Sequence, residues 1–190
     1  MTDISLADLV SRPTVGIRRV LPRSAAPGFF GPALNRVATA LDAAGAEPAG
    51  PPFVRYRGSP ADVVDIEVGF SLTVPYSESG SLTCDHLPAG PAVQTVHIGP
   101  YEHLPRTYRR IATWAAGRSL WLREDLWEEY ESDPTTDPDP MTWRTRVVWP
   151  VALRRSGPAD GLDRSAFLAR PMLDYRRARE FGESLSDMAP

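Results

Sequence analysis

Two aromatic-flanked segments of this chain read as copies of one another, and that repetition limits the possible folds more than any other feature. Phe53-Val54-Arg55-Tyr56 is followed, after a polar gap, by Val64-Asp65-Ile66-Glu67-Val68-Gly69-Phe70. Trp127-Glu128-Glu129-Tyr130 is followed, after a gap rich in Pro, Asp and Thr, by Trp143-Arg144-Thr145-Arg146-Val147-Val148-Trp149. Each unit reads strand, turn, strand, because β-formers lie on either side of turn-forming residues. A repeat of this size predicts two similar halves about a pseudo-twofold axis, with a groove where they meet. The second copy carries a carboxylate, Glu128, where the first has Val54. An acid among aromatics at such a junction suits a bound cation or acid/base chemistry.

At 190 residues the chain is one large domain or two small ones sharing a core. Its net charge of −3 argues against direct nucleic-acid binding, which needs a basic face to neutralise phosphates. Basic residues do cluster at 106–110 and 176–179, where they read as solvated helix faces. A lone cysteine, Cys84, excludes an internal disulfide and a thiolate zinc site. His86, His97 and His103 lack the i, i+4 pairing of a helical metal site, so neither metal nor other cofactor is expected. No apolar run approaches membrane-spanning length. Residues 1–5 carry an acid and no basic region, unlike a secretory leader, so a cytoplasmic location is expected.

The first strand is expected over residues 14–21, which leaves no room before it for a DNA-reading helix-turn-helix. A Gly/Pro/Ala-rich loop over 24–31 then holds Phe29 and Phe30, and Pro32 suits the first turn of a helix that Gly45 closes. Strands are expected at 53–57 and 63–72. The order then recurs, with a strand at 91–98, a helix from Leu104 to near Gly117, and strands at 127–131 and 142–151. The fold class is therefore α+β: duplicated β-α-β-β halves (about 12–74 and 88–151), an antiparallel sheet with helices on one face, and a central cleft. Residues 152–190 form an extension, with a helix expected over 171–183 that serves as a docked terminus, a lid or a dimer contact.

Strand parity puts Glu128 and Tyr130 on one face, and Trp127, Glu129 and Glu131 on the other. Glu129 and Glu131 are then expected in water, with Glu128 the only buried negative charge. Burial disfavours the charged form of such a group, and a bound cation restores it. A one-residue bulge would exchange which acid points inward. Tyr56 matches Tyr130 and suits a ligand wall, since a phenol tolerates both water and apolar contact. Trp127 is a further wall candidate. Tyr101, after the Gly99-Pro100 turn, is placed at the mouth of the groove. Phe29 and Phe30 cap the groove or plug the core. Trp149 and Phe70 match as core aromatics, and Trp149 also borders the cleft. His97 is either a packed, hydrogen-bonded imidazole or a pocket residue.

Phe53-Val54-Arg55-Tyr56 with 64–70, Leu87-Pro88-Ala89-Gly90, His97-Ile98-Gly99-Pro100-Tyr101-Glu102-His103-Leu104, Trp127-Glu128-Glu129-Tyr130-Glu131-Ser132-Asp133-Pro134 and Trp143-Arg144-Thr145 together resemble the GyrI-like small-molecule-binding family. The order of the five segments, over about 12–151, is more specific than any one of them. The resemblance implies a fold shared with effector-binding domains of AraC- and MerR-type regulators, and a cleft for diverse lipophilic, often cationic, compounds. It places the family's ligand-facing glutamate on Glu128 and its tyrosine on Tyr130, although many relatives have an apolar residue where Glu129 stands. Some stand-alone members look like hydrolases of cyclopropane-bearing alkylating compounds. Three readings stay open. The first is a binding protein for lipophilic cations. The second is a metal-independent hydrolase using Glu128 and Tyr130. The third is a docking module for a protein such as a topoisomerase. Self-association is left open by the composition.

Overall fold

The computed structural model describes residues 3–58, 62–77, 81–132 and 137–153 of the chain. In chain order they form β1 (Ser5–Leu9), β2 (Arg12–Pro22), α1 (Ala26–Ala44), β3 (Phe53–Arg57), β4 (Val63–Ser71), β5 (Thr83–Leu87), β6 (Gly90–Ile98), α2 (Leu104–Ala116), β7 (Leu120–Leu122), β8 (Leu126–Tyr130) and β9 (Arg144–Leu153). The order β2-α1-β3-β4 recurs as β6-α2-β8-β9, with the short β7 inserted after α2. The expected helix at 171–183 and the basic cluster at 176–179 lie outside the described residues.

Two expectations need correction. The first strand is β1, ahead of residue 14. Its sequence, SLADL, does not alternate apolar with polar residues, so periodicity does not reveal it. The first helix starts at Ala26, with a proline at its first or second position, and Pro32 lies inside it on the exposed side. Phe29 and Phe30 are therefore helical rather than loop residues. Ala26, Phe30, Leu34, Val37, Ala38 and Leu41 recur at helical spacing, and their burial against the sheet outweighs the breaker residues. Gly45 ends the helix in the left-handed conformation, at φ 62°, and gives its N–H to the last turn.

All the strands pair antiparallel, in the order β1-β6-β9-β8-β3-β4-β2-β5, with β7 added on β9. The registers of the two halves correspond. Val15 faces Phe70 as Val93 faces Trp149. Gly16 faces Thr83 as Gln94 faces Ser5. The halves meet at β3 and β8, where Val54 lies directly opposite Glu128.

The sheet must curl. Laid flat, β1 and β2 would be six strand spacings apart, roughly 29 Å at about 4.8 Å each, yet only Val10 and Ser11 join them. Such a link reaches about 10 Å at most. The same holds for β5 and β6, joined through Pro88 and Ala89. Arginines crossing the inside show which face is concave. Arg57 of β3 reaches Asp85 of β5 at 2.6 Å, and Arg12 of β2 reaches Glu129 of β8, in each case over two intervening strands. The helices cover the other face, α1 on β2 and β4, α2 on β6 and β7. The helix face holds the larger apolar core, and the concave face a smaller one of Phe53, Leu87, Ala92, Trp127 and Val148.

Gly16 and Gly69 face one another across β2 and β4. A Cβ on Gly69 would collide with the Val15 carbonyl, so only glycine permits this close strand approach.

Candidate functional site around Glu128

The ladder through β8 is continuous, pairing Trp127 with Val148, Glu128 with Val147, Glu129 with Arg146 and Tyr130 with Thr145. With no bulge to shift parity, Glu128 and Tyr130 share the helix face. In register across that face, Glu128 stands in a row with Thr95, Val147, Val54, Val68 and Ile17. A carboxylate in so apolar a row is costly to keep charged unless something compensates it. Glu128 is 1% exposed, and the Tyr130 hydroxyl donates to its Oε2 at 2.5 Å.

Aromatic rings extend from this pair. Tyr101, in a single 3-10 turn over Tyr101–His103, packs edge-on against Tyr130 with centroids 5.5 Å apart. Its ring also lies 4.7 Å from that of Trp143, at 35°. The Trp143 indole N–H donates to the Asp137 carbonyl at 2.7 Å, which fixes the ring. Thr145, beside Tyr130, is fully buried, and its hydroxyl has no hydrogen-bond partner among the described residues. The helix face thus combines a buried acid, a phenol, stacked rings and an unpaired hydroxyl.

His97 follows in the same row, opposite Thr145. Its Nε2 lies 3.1 Å from the Pro100 carbonyl, which only accepts, so the proton is on Nε2. Nδ1 then accepts from the Thr107 hydroxyl, 2.8 Å away. Burial, helped by His103 and Arg110, holds the imidazole below its ordinary value of 6.5 against the opposing pull of the Pro100 and Gly99 backbone. The residue is a packed, hydrogen-bonded imidazole pinning α2 to β6.

The remaining candidates divide. Tyr56 shares the helix face with Val54, and both belong to the larger core. Trp149 is fully buried on that face, edge-on to Tyr108 of α2 at 6.2 Å. Phe30 is buried and Phe29 half-buried on α1, over β2 and β4 of the first half. Trp127 points away from Glu128 onto the concave face, where its indole N–H donates to Glu129 at 3.2 Å.

The expectation that Glu128 is the only buried negative charge fails. Glu67 is fully buried and Glu129 only 7% exposed. Glu129 is not in water: Trp127, Arg12 and Arg146 surround it. Glu131 is half-buried, 2.5 Å from Arg146. Glu67 accepts from Arg57 at 2.5 Å, and Arg57 also binds Asp85. The curl brings these arginines over the concave face, so acids there are enclosed by cations rather than solvent. Trp143 and Thr145 are the site residues that the repeat analysis passed over. Their first-half counterparts, Val64 and Ile66, are purely apolar, and that contrast was the available signal.

A family model, the GyrI-like small molecule binding domain, matches residues 12–152. The chain belongs to the GyrI-like family and carries its small-molecule-binding domain. No curated protein matches the chain. Among solved structures, the crystal structure of the EcmrR C-terminal domain is similar at 19% identity and a TM-score of 0.70, over 81% of this chain and 99% of that one. EcmrR in complex with DNA is similar at 19% identity and 0.66, over 80% of this chain, which spans only 58% of that polypeptide. SAV2435 bound to tetraphenylphosphonium is similar at 11% identity and 0.57, over 79% and 94%. A structure described as a hydrolase from Listeria innocua is similar at 12% identity and 0.54, over 78% and 91%. These likenesses establish the fold. No helix of the described residues is long and apolar enough to cross a membrane.

Proposed function

We propose that the chain binds lipophilic, preferably cationic, small molecules on the helix face of β8, with Glu128 as the counter-charge. The observation that carries this reading is the burial of the Glu128 carboxylate in a row that is apolar apart from Thr95, with a hydrogen bond from a neutral phenol. A ligand cation beside this carboxylate gains a charge-assisted contact, and aromatic faces such as Tyr101 and Trp143 add roughly 0.5–2 kcal/mol each. The Thr145 hydroxyl offers a further polar anchor, in keeping with apolar pockets that fix orientation through few polar groups. The tetraphenylphosphonium found on SAV2435, a protein of similar fold, is a suitable probe. Fluorescence titration should show Glu128→Gln weakening this cation about 10–100-fold, the worth of a charge-assisted contact of 1.5–3 kcal/mol. A neutral aromatic ligand of similar size should lose less than about threefold. Equal losses for both ligands would refute the reading.

A second reading is favoured by the 2.5 Å Tyr130–Glu128 hydrogen bond, which couples a phenol to a carboxylate within one site. In it, Glu128 takes a proton from a water whose oxygen bonds to a carbon of a strained, cyclopropane-bearing substrate; the ring bond breaks, Tyr130 protonates the departing side, and the proton on Glu128 returns to Tyr130 through their hydrogen bond. One positioned acid/base group contributes about 10²–10⁴-fold. Mass spectrometry after incubation with such an alkylator decides it. A product heavier by one water supports turnover, and unchanged compound bound one to one removes it.

A further inference from the structure

We propose that the concave face holds a second ligand site, for small amphipathic carboxylates, separate from the cation site on the helix face. Where the β1–β2 link crosses above β8 and β9, the concave face keeps an open cleft of about 340 Å³. That volume lies within the range of about 300–1,000 Å³ that small-molecule sites occupy. Its walls are largely apolar, with Leu9, Val10, Leu87 and Val148 around Trp127. Val10, in the two-residue link, lines this cleft and is 77% exposed.

The polar groups of the cleft are Asp8, at its exposed edge, with Arg12, Gln94, Glu129 and Arg146, and the unspent arginine donors set the sign of its ligand. Glu129 is already engaged: one oxygen takes the Trp127 indole N–H and Arg12, and the other lies 3.9 Å from Arg146. An entering cation would have to displace a guanidinium to reach it. The donors are in surplus. Arg12 spends one terminal nitrogen on Glu129, and its other terminal nitrogen and its Nε have no hydrogen-bond partner among the described residues. Arg146 spends its bonds at the far side, on Glu131 at 2.5 Å, and the Gln94 amide completes the wall. A planar fork with donors to spare matches a carboxylate bidentately. The body of the ligand then lies along Leu9, Val10 and Val148. The first half closes the matching region instead. Gly16 and Gly69 stand where the second half has Gln94 and Val148, and Arg57, Glu67 and Asp85 pair among themselves.

Calorimetric titration of the full chain with 2-naphthoate, and with 2-naphthylmethylammonium as the cationic isostere, tests this site. Naphthoate is expected to bind one to one, even when the helix face is saturated with a lipophilic cation. Arg12→Lys keeps a charge on Glu129 but loses the fork, and is expected to weaken naphthoate at least about tenfold. Val10→Asp, at an exposed link, is expected to do the same without unfolding the chain, as far-ultraviolet circular dichroism would show. Glu128→Gln is expected to leave naphthoate binding unchanged, so failure here and failure of the cation site give different patterns. No naphthoate binding to the folded protein would overturn the proposal. So would equal affinity in both cleft variants, loss of binding in Glu128→Gln, or tighter binding of the ammonium to this cleft.

Discussion

Glu128 and Glu129 are neighbours on one strand, both buried, and their surroundings have opposite character. Glu128 faces the helices, where a phenol donates to it and Val54, Val147 and Val68 share its row. Glu129 faces the concave side, enclosed by Arg12, Arg146 and the Trp127 N–H. Strand parity separates them, and the curl of the sheet decides what each one meets. The fold compensates the charge of Glu129 with its own cations. At Glu128 a neutral group, the Tyr130 hydroxyl, donates a hydrogen bond, and we propose that a ligand cation binds beside it.

The largest test of this contrast is thermodynamic. Glu129→Ala strips the acceptor from Arg12 and Trp127 and is expected to cost about 2–3 kcal/mol in urea unfolding. Glu128→Gln keeps an oxygen for Tyr130 and is expected to stay within about 1 kcal/mol of the parent. The reverse ranking would mean that Glu128 is the structural acid. Next in size, Tyr130→Phe removes the hydroxyl held by Glu128 and is expected to cost about 1–2 kcal/mol. That loss should shrink in a Glu128→Leu background, where a double-mutant cycle isolates the pair.

The concave side of the sheet is legible in the sequence only in part. Alternation along residues 127–130 gives the direction of each side chain, and it placed Glu128 and Tyr130 together on one face. It does not give the depth of Glu129, because Arg12 arrives from a strand that is remote in sequence and in sheet order. Trp127 reads as a ligand wall from sequence for the same reason: its aromatic character is visible there, its partner across the curl is not. The helix at Phe29 and Phe30 was hidden by Gly and Pro, which favour loops locally and are overruled by burial of one helix face. The strands β1 and β5 lie at the sheet edges, and their sequences, SLADL and TCDHL, do not alternate apolar with polar residues.

The smallest effect concerns pH, and it separates the two faces again. On the helix side, His97 is held neutral, below its ordinary value, chiefly by burial. A depressed folded value means that the unfolded chain takes up its proton first as pH falls. The stability His97 contributes is therefore complete above about 6.5 and declines as pH drops below it. His97→Gln should remove that slope. On the concave side, burial raises Asp85, but the His86 backbone, Arg57 and Arg55 outweigh it and hold the carboxyl below 3.8. Its contribution is complete above that value and lost only in stronger acid. Urea melts at a series of pH values should show two separate losses, and a single loss near pH 4 would contradict the assignment for His97.

The most direct measurement is a crystal structure of the chain grown with a heavy-atom-labelled lipophilic cation. Its charge is expected beside the Glu128 carboxylate on the helix face, with Tyr101 or Trp143 against it. A cation found instead at Glu129 inside the curl, or a helix face that stays closed at saturating ligand, would contradict that expectation.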